Sequence, residues 1–116
     1  MSKTVDWYYH RKGCTTCGKM DAFLDQQGYA AKETINAAKQ KIGPTEAVAL
    51  VRQSERLLVA KGKSAVEHNL KTEQVADEEI TRLVIGPSGN LRAPTVRNGK
   101  TLLVGFHPEK FGEVLK

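Results

Sequence analysis

The chain has 116 residues, which is the size of one domain and too short for two ordinary ones. Hydrophobic residues make up 40% of it and charged residues 27%, a balance that indicates a folded globular protein and excludes a disordered one. No apolar run approaches the roughly 20 residues of a membrane span. The residues after Met1 are polar where a secretory leader would be apolar. We therefore expect a cytoplasmic protein without membrane contact.

The net charge is +5, from 18 basic and 13 acidic residues. The basic residues are dispersed and only 6% of the residues are aromatic, so the sequence shows neither a basic helix nor a stacking platform for nucleic acid. The simplest interpretation is a solvated basic surface. An anionic small substrate or an acidic partner protein is the alternative, and direct nucleic-acid binding is not expected.

The amino-terminal third predicts a strand, a helix and a second strand. Alternation predicts that the first strand carries three side chains on one face, and these are Val5, Trp7 and Tyr9. Residues 11–13 break this strand. After Cys14 the apolar residues recur at three- and four-residue spacing, at Cys17, Met20 and Leu24, which predicts a helix. Gly28 is its predicted end. Residues 31–35 predict a second strand, parallel to the first.

The middle of the chain, about 37–85, predicts a largely helical insertion. One helix opens at Gly43-Pro44. Another is capped by Asp77 and buries an apolar face made of Ile80, Leu83 and Val84. The segments 57–62 and 64–70 fit either a helix end or an extended conformation.

The carboxyl-terminal third predicts a hairpin and a final helix. Asn98-Gly99 lies between the strand-like segments 95–97 and 100–104, which is a two-residue hairpin signal. A helix opens at Pro108 and buries three apolar residues, Phe111, Val114 and Leu115. Pro94, just before the hairpin, suggests a cis Ala93-Pro94 bond that offers backbone groups to a ligand, with an ordinary trans proline as the alternative.

The two cysteines, Cys14 and Cys17, form a CxxC motif where the first strand passes into the first helix. Structural zinc needs two further ligands, and no histidines have the spacing to supply them (the chain has His10, His68 and His107). A redox pair is favoured over zinc and over two inert thiols. The helix dipole lowers the pKa of a thiol at the first position, and the basic side chains of Arg11 and Lys12 add positive potential. Cys17 is then the resolving thiol.

Three motifs, in this order, resemble the ArsC/Spx family of arsenate reductase-like proteins. Tyr8-Tyr9-His10 followed by Cys14-Thr15-Thr16-Cys17-Gly18-Lys19 is similar to the family's first strand and active-site turn. Leu91-Arg92-Ala93-Pro94-Thr95 and then Leu103-Val104-Gly105-Phe106 are similar to its Arg-Pro loop and following strand. The resemblance implies a single α/β domain over residues 1–116, of thioredoxin-like fold, with a mixed central sheet and the helical insertion.

The resemblance also implies two functions. Arsenate reductase members attack arsenate with the first cysteine, use nearby arginines, and are recycled by glutathione and glutaredoxin. Spx-type members carry a CxxC redox switch and bind RNA polymerase. This sequence departs from the reductase pattern at Ala93, where the family usually has arginine before the loop proline. The candidate substitutes are Arg92, Arg97, Arg11 and Lys12.

The sequence therefore predicts a thiol-dependent oxidoreductase that acts on a small oxyanion or a disulfide. Cys14 is the nucleophile, Cys17 closes a redox-active disulfide, Pro94 shapes the substrate groove and Arg92 contacts the anion. No metal or bound cofactor is implied, because an external thiol reductant supplies the electrons: glutathione with glutaredoxin, or thioredoxin. The protein is expected to be a monomer. An Spx-like redox sensor that binds a partner such as RNA polymerase is the alternative, and a binding domain without chemistry is a third. His10 could act as a base toward Cys14, although a structural or solvent role at the strand end is favoured. Trp7, Tyr9 and Phe106 are expected in the core or in the lining of a pocket.

Overall fold

The computed structural model describes residues 3–11, 15–61, 64–87 and 89–114 as a mixed α/β structure. Within this part of the chain, no helix is long and apolar enough to cross a membrane. The elements in chain order are β1 (Lys3–Val5), β2 (Trp7–His10), α1 (Thr15–Gln26), β3 (Tyr29–Ala31), β4 (Thr34–Asn36), α2 (Pro44–Arg52), β5 (Arg56–Lys61), β6 (Ser64–Asn69), α3 (Asp77–Val84), β7 (Thr95–Asn98), β8 (Thr101–Val104) and α4 (Pro108–Val114).

The central sheet has six strands in the order β4-β2-β7-β8-β5-β6. The pairs β2–β4 and β5–β8 are parallel, and the other three pairs are antiparallel. Helix α1 is the crossover between β2 and β4, as expected for parallel neighbours. The predicted second strand over 31–35 is divided into β3 and β4, and β3 pairs with β1 in a separate parallel ladder.

A bend at Asp6 divides the first predicted strand and changes the phase of its side chains. Val5 packs with Tyr8 on one side of the sheet, whereas Tyr9 packs on the other side. The prediction that Val5 shares a face with Trp7 and Tyr9 is therefore wrong. Asp6 is held by the β7–β8 hairpin, because its amide donates to the Arg97 carbonyl at 2.9 Å and its Oδ2 accepts from the Gly99 amide at 2.6 Å.

Each face of the central sheet is covered by helices, which gives three layers. Helices α1 and α4 cover one face, over a core that includes Tyr8, Met20, Phe23, Leu58 and Phe111. Helices α2 and α3 cover the other, over a core that includes Tyr9, Val51, Leu57, Ile80 and Leu102. The first helix follows its predicted pattern, since Cys17, Met20 and Leu24 are all buried. Gly28 ends it with a φ of +77°, a conformation that glycine adopts without strain.

The insertion over 37–85 is not largely helical, because β5 and β6 form a hairpin between α2 and α3. Residues 57–60 are buried in β5, and helices cover both faces of the sheet there. This double burial explains why the segment lacks the alternation that identifies a half-buried strand. Helix α3 begins at Asp77 and Ala76 is its N-cap, so the prediction that Asp77 is the cap is wrong by one position.

The carboxyl-terminal third follows the prediction with one shift. Asn98 pairs with Thr101, so the two turn residues are Gly99 and Lys100 rather than Asn98 and Gly99. The Ala93-Pro94 bond is cis, as predicted. Helix α4 begins at Pro108 and buries Phe111. Leu115, predicted to be buried by this helix, lies outside the described residues, as does the side chain of Val114.

A pair of glycine substitutions tests the hairpin turn. Gly99 has a φ of +62° and open space around its Cα, so Gly99→Ala is strained by the backbone alone and should cost about 1–2 kcal/mol of unfolding free energy. Gly18 also has open space but lies inside α1, so Gly18→Ala should leave stability unchanged or raise it by up to about 1 kcal/mol. Urea unfolding followed by circular dichroism measures both. Equal effects of the two substitutions would contradict the turn geometry.

Candidate functional site

A groove of about 390 Å³ lies at the carboxyl end of β2, beside the loop that contains the cis proline. It is bounded by β2, the segment between β4 and α2, and the segment that follows α3. The residues that line it are Tyr9, Arg11, Ala37, Ala38, Lys41, Gly86, Pro87, Asn90, Leu91, Arg92 and Ala93. Arg11, the last described residue before α1, stands three positions before the predicted nucleophile Cys14 in the sequence.

The groove is positively charged. Arg11, Lys41 and Arg92 line it, and no carboxylate is among the described residues of its lining. Elsewhere many surface cations are neutralised: Lys32, Arg52 and Arg82, for example, each lie within 4 Å of a carboxylate. Across the described residues, none of the three groove cations forms such an ion pair. Uncompensated cations that converge on a concave surface are suited to binding an anion.

Arg92 is held in a narrow space beside the groove. Its Nη1 lies 3.5 Å from the Leu83 carbonyl, and burial lowers the pKa of its guanidinium, which nonetheless stays protonated. A Cβ on Gly105 would lie 3.1 Å from Arg92 Nη2 and 3.0 Å from Ala60 Cβ. Gly105 also has a φ of +81°, so both its conformation and its close neighbours favour glycine. Because Gly105 has no side chain, the Arg92 guanidinium can lie against its Cα.

The loop before β7 is fixed by two hydrogen bonds. The Gly105 amide donates to the Pro94 carbonyl at 2.8 Å, and the Thr95 hydroxyl donates to the Arg92 carbonyl at 2.6 Å. Pro94 is buried and does not line the groove, whereas Ala93 and Arg92 do. Pro94 therefore contributes to the groove indirectly, because it fixes the backbone of Ala93 and Arg92, which line it.

Tyr9 connects the groove to the segment between β4 and α2. Its hydroxyl donates to the Gln40 carbonyl at 2.9 Å and accepts from the Ile42 amide at 3.2 Å. Lys41 lies between these two contacts. The Tyr9 ring is 1% exposed and stacks on Trp7 with ring centroids 5.6 Å apart, and burial raises the pKa of its phenol. The expectation that Tyr9 belongs to the core or to the lining of a pocket is consistent with this position. Sequence reasoning missed Lys41 and its link to Tyr9, because no local pattern links a strand tyrosine to a distant loop.

The opposite face of β2 forms a different environment. His10 Nε2 lies 2.9 Å from Asp21 Oδ2, and the Tyr8 hydroxyl donates to Asp21 Oδ1 at 2.9 Å. These contacts tie the end of β2 to α1, which gives His10 the structural partner that the sequence reasoning favoured. A hollow of about 430 Å³ lies here, but Asp21 and Asp25 line it, so it is less suited to an anion than the groove.

The structure brings only some of the predicted site residues together. Arg11 and Arg92 line the groove, with Pro94 behind it. Cys17 is fully buried on α1. Arg97 pairs with Trp7 in the β2–β7 ladder and does not line the groove. Cys14 and Lys12 lie outside the described residues. In the part of the chain that is described, no three metal-binding side chains cluster.

A family model shows the family of this chain, and two solved structures share its fold. A family model of the ArsC family matches residues 9–114. Among solved structures, the YFFB (PA3664) protein is similar with a TM-score of 0.56 and 18% identity, over 95% of this chain and 98% of that one. An ArsC family-related protein from Bacteroides fragilis is similar with a TM-score of 0.54 and 20% identity, over 95% of this chain and 96% of that one. No curated protein matches the chain.

The raised pKa of Tyr9 provides a test of its buried hydrogen bonds. Burial favours the neutral phenol in the folded state, so Tyr9 should ionise above its ordinary pKa of 10.0. The stability that depends on this neutral phenol is present below the pKa of the unfolded chain and is lost as the pH rises through the folded value. Ultraviolet titration of the phenolates should show a step above pH 10 that Tyr9→Phe removes. A Tyr9→Phe titration curve that keeps this step would contradict the assignment.

Proposed function

The chain belongs to the ArsC family and has its thioredoxin-like fold, and we propose that it is a thiol-dependent oxidoreductase that uses Cys14 and Cys17 on an anionic substrate. The observation that carries this proposal is the basic groove at the end of β2, from which the chain leads directly through Arg11 to Cys14. A nucleophile beside an uncompensated basic groove is suited to an electrophile that carries negative charge.

The position of the CxxC motif supports the roles of the two cysteines. Cys14 is the residue before Thr15 in the sequence, and Thr15 is the first residue of α1. The unpaired amides and the dipole of the first turn favour a thiolate, and Arg11 adds positive charge nearby. Cys17 is fully buried one turn inside the helix. A buried second thiol is protected from solution oxidants and is suited to an attack within the protein.

The reaction with a disulfide then has two steps. The Cys14 thiolate attacks one sulfur of the substrate, the substrate S–S bond breaks, and the first thiolate leaves and takes up a proton. Cys17 loses its proton and attacks the Cys14 sulfur, which releases the second substrate thiolate and forms the Cys14–Cys17 disulfide. The substrate gains two electrons and the protein loses two. Glutathione with glutaredoxin, or thioredoxin, returns them as its own thiols become a disulfide.

The groove indicates which substrates to test. Arg92 lines it although Ala93 stands before the proline, so this arginine is the proposed anion contact, with Arg11 and Lys12 in support. A small oxyanion such as arsenate would take the same two electrons, with the loss of one oxygen as water. An anionic disulfide would contact the same cations. We propose the cytoplasm as the compartment, because a CxxC pair that cycles needs a reducing thiol pool.

Cysteine variants test the chemistry. Cys14→Ser should abolish reduction of 3,3′-dithiodipropionate, a disulfide with two carboxylates, because the nucleophile is gone. Cys17→Ser should stop after the first step and accumulate a mixed disulfide on Cys14, which intact-protein mass spectrometry detects as the added mass of half the substrate. Turnover by Cys14→Ser would contradict the proposal. A wild-type protein that oxidises once and is not recycled by glutathione or thioredoxin would instead favour the Spx-like sensor.

A second prediction concerns the anion contact. Arg92→Ala should raise KM for 3,3′-dithiodipropionate by about ten- to a hundredfold, the value of one charge-assisted hydrogen bond. It should leave the neutral 2-hydroxyethyl disulfide nearly unaffected. Arg82→Ala is the matched control, because Arg82 lies on α3, pairs with Glu79 and does not line the groove. Equal losses with both disulfides would show that Arg92 acts on the fold rather than on the anion.

A further inference from the structure

The segment between β4 and α2 brings Lys41 to the groove from a different part of the chain than Arg92. Lys41 is exposed and lines the groove, and across the described residues it forms no ion pair. Two small residues of the same segment, Ala37 and Ala38, also line the groove. Their short side chains add only a methyl group each to the wall of the groove.

The backbone on both sides of Lys41 is fixed by hydrogen bonds. On one side, the Gln40 amide donates to the Asn36 carbonyl at 2.8 Å and the Gln40 carbonyl accepts from the Tyr9 hydroxyl at 2.9 Å. On the other, the Ile42 amide donates to the Tyr9 hydroxyl at 3.2 Å and the Ile42 carbonyl accepts from the Leu91 amide at 2.7 Å. Leu91 immediately precedes Arg92, so these bonds set the spacing between the two cationic segments.

The size of the groove favours a ligand larger than one tetrahedral oxyanion. Sites for small organic molecules enclose about 300–1,000 Å³, and the groove, at about 390 Å³, lies in this range. Its cations come from separate segments, and Leu91, Pro87 and the alanines add apolar surface to the same groove. A ligand with an apolar middle and two anionic ends would use all of these features at once.

We propose that Lys41 is a specificity-determining residue that binds the second anionic group of an organic dianion whose first group contacts Arg92. Tyr9 is a positioning residue, because its hydroxyl holds the two peptide groups on either side of Lys41. The inference deepens the proposed function by naming a substrate class for the same groove, an organic dianion in preference to a bare oxyanion. Binding alone tests it, so it can be judged without any thiol chemistry.

The experiment compares three unreactive probes at low ionic strength, where exposed charges are least screened. They are glutarate, which has two carboxylates, butyrate, which has one, and inorganic phosphate. Titrations followed by ¹H–¹⁵N correlation spectra give Kd values for each. Wild-type protein should bind glutarate more tightly than butyrate. Lys41→Ala should weaken glutarate binding about three- to fivefold, as expected for an exposed ion pair, and leave butyrate and phosphate binding unchanged.

Three further variants separate a specific role from a general effect of charge. Lys39→Ala removes the same charge from the same segment at a position that does not line the groove, so it should leave all three Kd values unchanged. Lys41→Arg should keep the preference for glutarate. Tyr9→Phe, which keeps the ring stacked on Trp7 but removes both hydrogen bonds, should reduce that preference in the same direction as Lys41→Ala.

Several outcomes would overturn the inference. One is an equal loss of glutarate and butyrate binding in Lys41→Ala. That result would mean that Lys41 only adds to the positive potential of the groove and does not bind the second carboxylate. The others are an effect of Lys39→Ala as large as that of Lys41→Ala, or no binding of any probe. A Lys41-dependent preference in a protein whose cysteines reduce nothing would leave the inference standing and reject the proposed oxidoreductase. Disulfide turnover by a protein that shows no Lys41-dependent preference for glutarate would reject the inference and leave the proposed oxidoreductase standing.

Discussion

The alternation of side chains along β2 determines most of what surrounds the site. Successive residues of a strand point to opposite faces of a sheet. Tyr8 and His10 therefore meet Asp21 on α1, whereas Tyr9 and Arg11 line the groove. One strand thus anchors the helix that carries Cys17 and also forms a wall of the basic groove. A one-residue slip of β2 would exchange the two environments, because it would move every side chain to the other face.

Much of the fold could be predicted because its signals are local. The α1 pattern around Cys17, the glycine at its end and the Asn98-Gly99 hairpin all depend on nearby residues. The insertion was harder, since β5 is buried on both faces and its apolar residues 57–60 lack a period. The phase change at Asp6 could not be predicted, because it depends on hydrogen bonds to the distant Arg97 and Gly99.

In the candidate site, too, residues marked by local motifs could be predicted, whereas those that depend on distant contacts could not. Arg92 was identified from its place beside the loop proline, and Arg11 from its place before the CxxC motif. Lys41 was not identified, nor was the contact of Tyr9 with the segment around Lys41, because a hydroxyl that bonds a loop across the fold leaves no pattern in the sequence. The room for Arg92 likewise depends on Gly105 and Ala60, which meet only after β5 and β8 pair. Local motifs thus indicated the chemistry, whereas tertiary contacts define the shape and charge of the groove.

Cys14 and Cys17 are proposed to form a redox pair that serves the basic groove. The most direct measurement equilibrates the protein in glutathione buffers of graded potential, alkylates the remaining thiols and counts them by mass spectrometry. We expect a reversible disulfide between Cys14 and Cys17 with a midpoint between roughly −180 and −300 mV, the range of thiol-redox proteins that cycle. Two alkylated thiols at every potential, or only a glutathione adduct on Cys14, would contradict it.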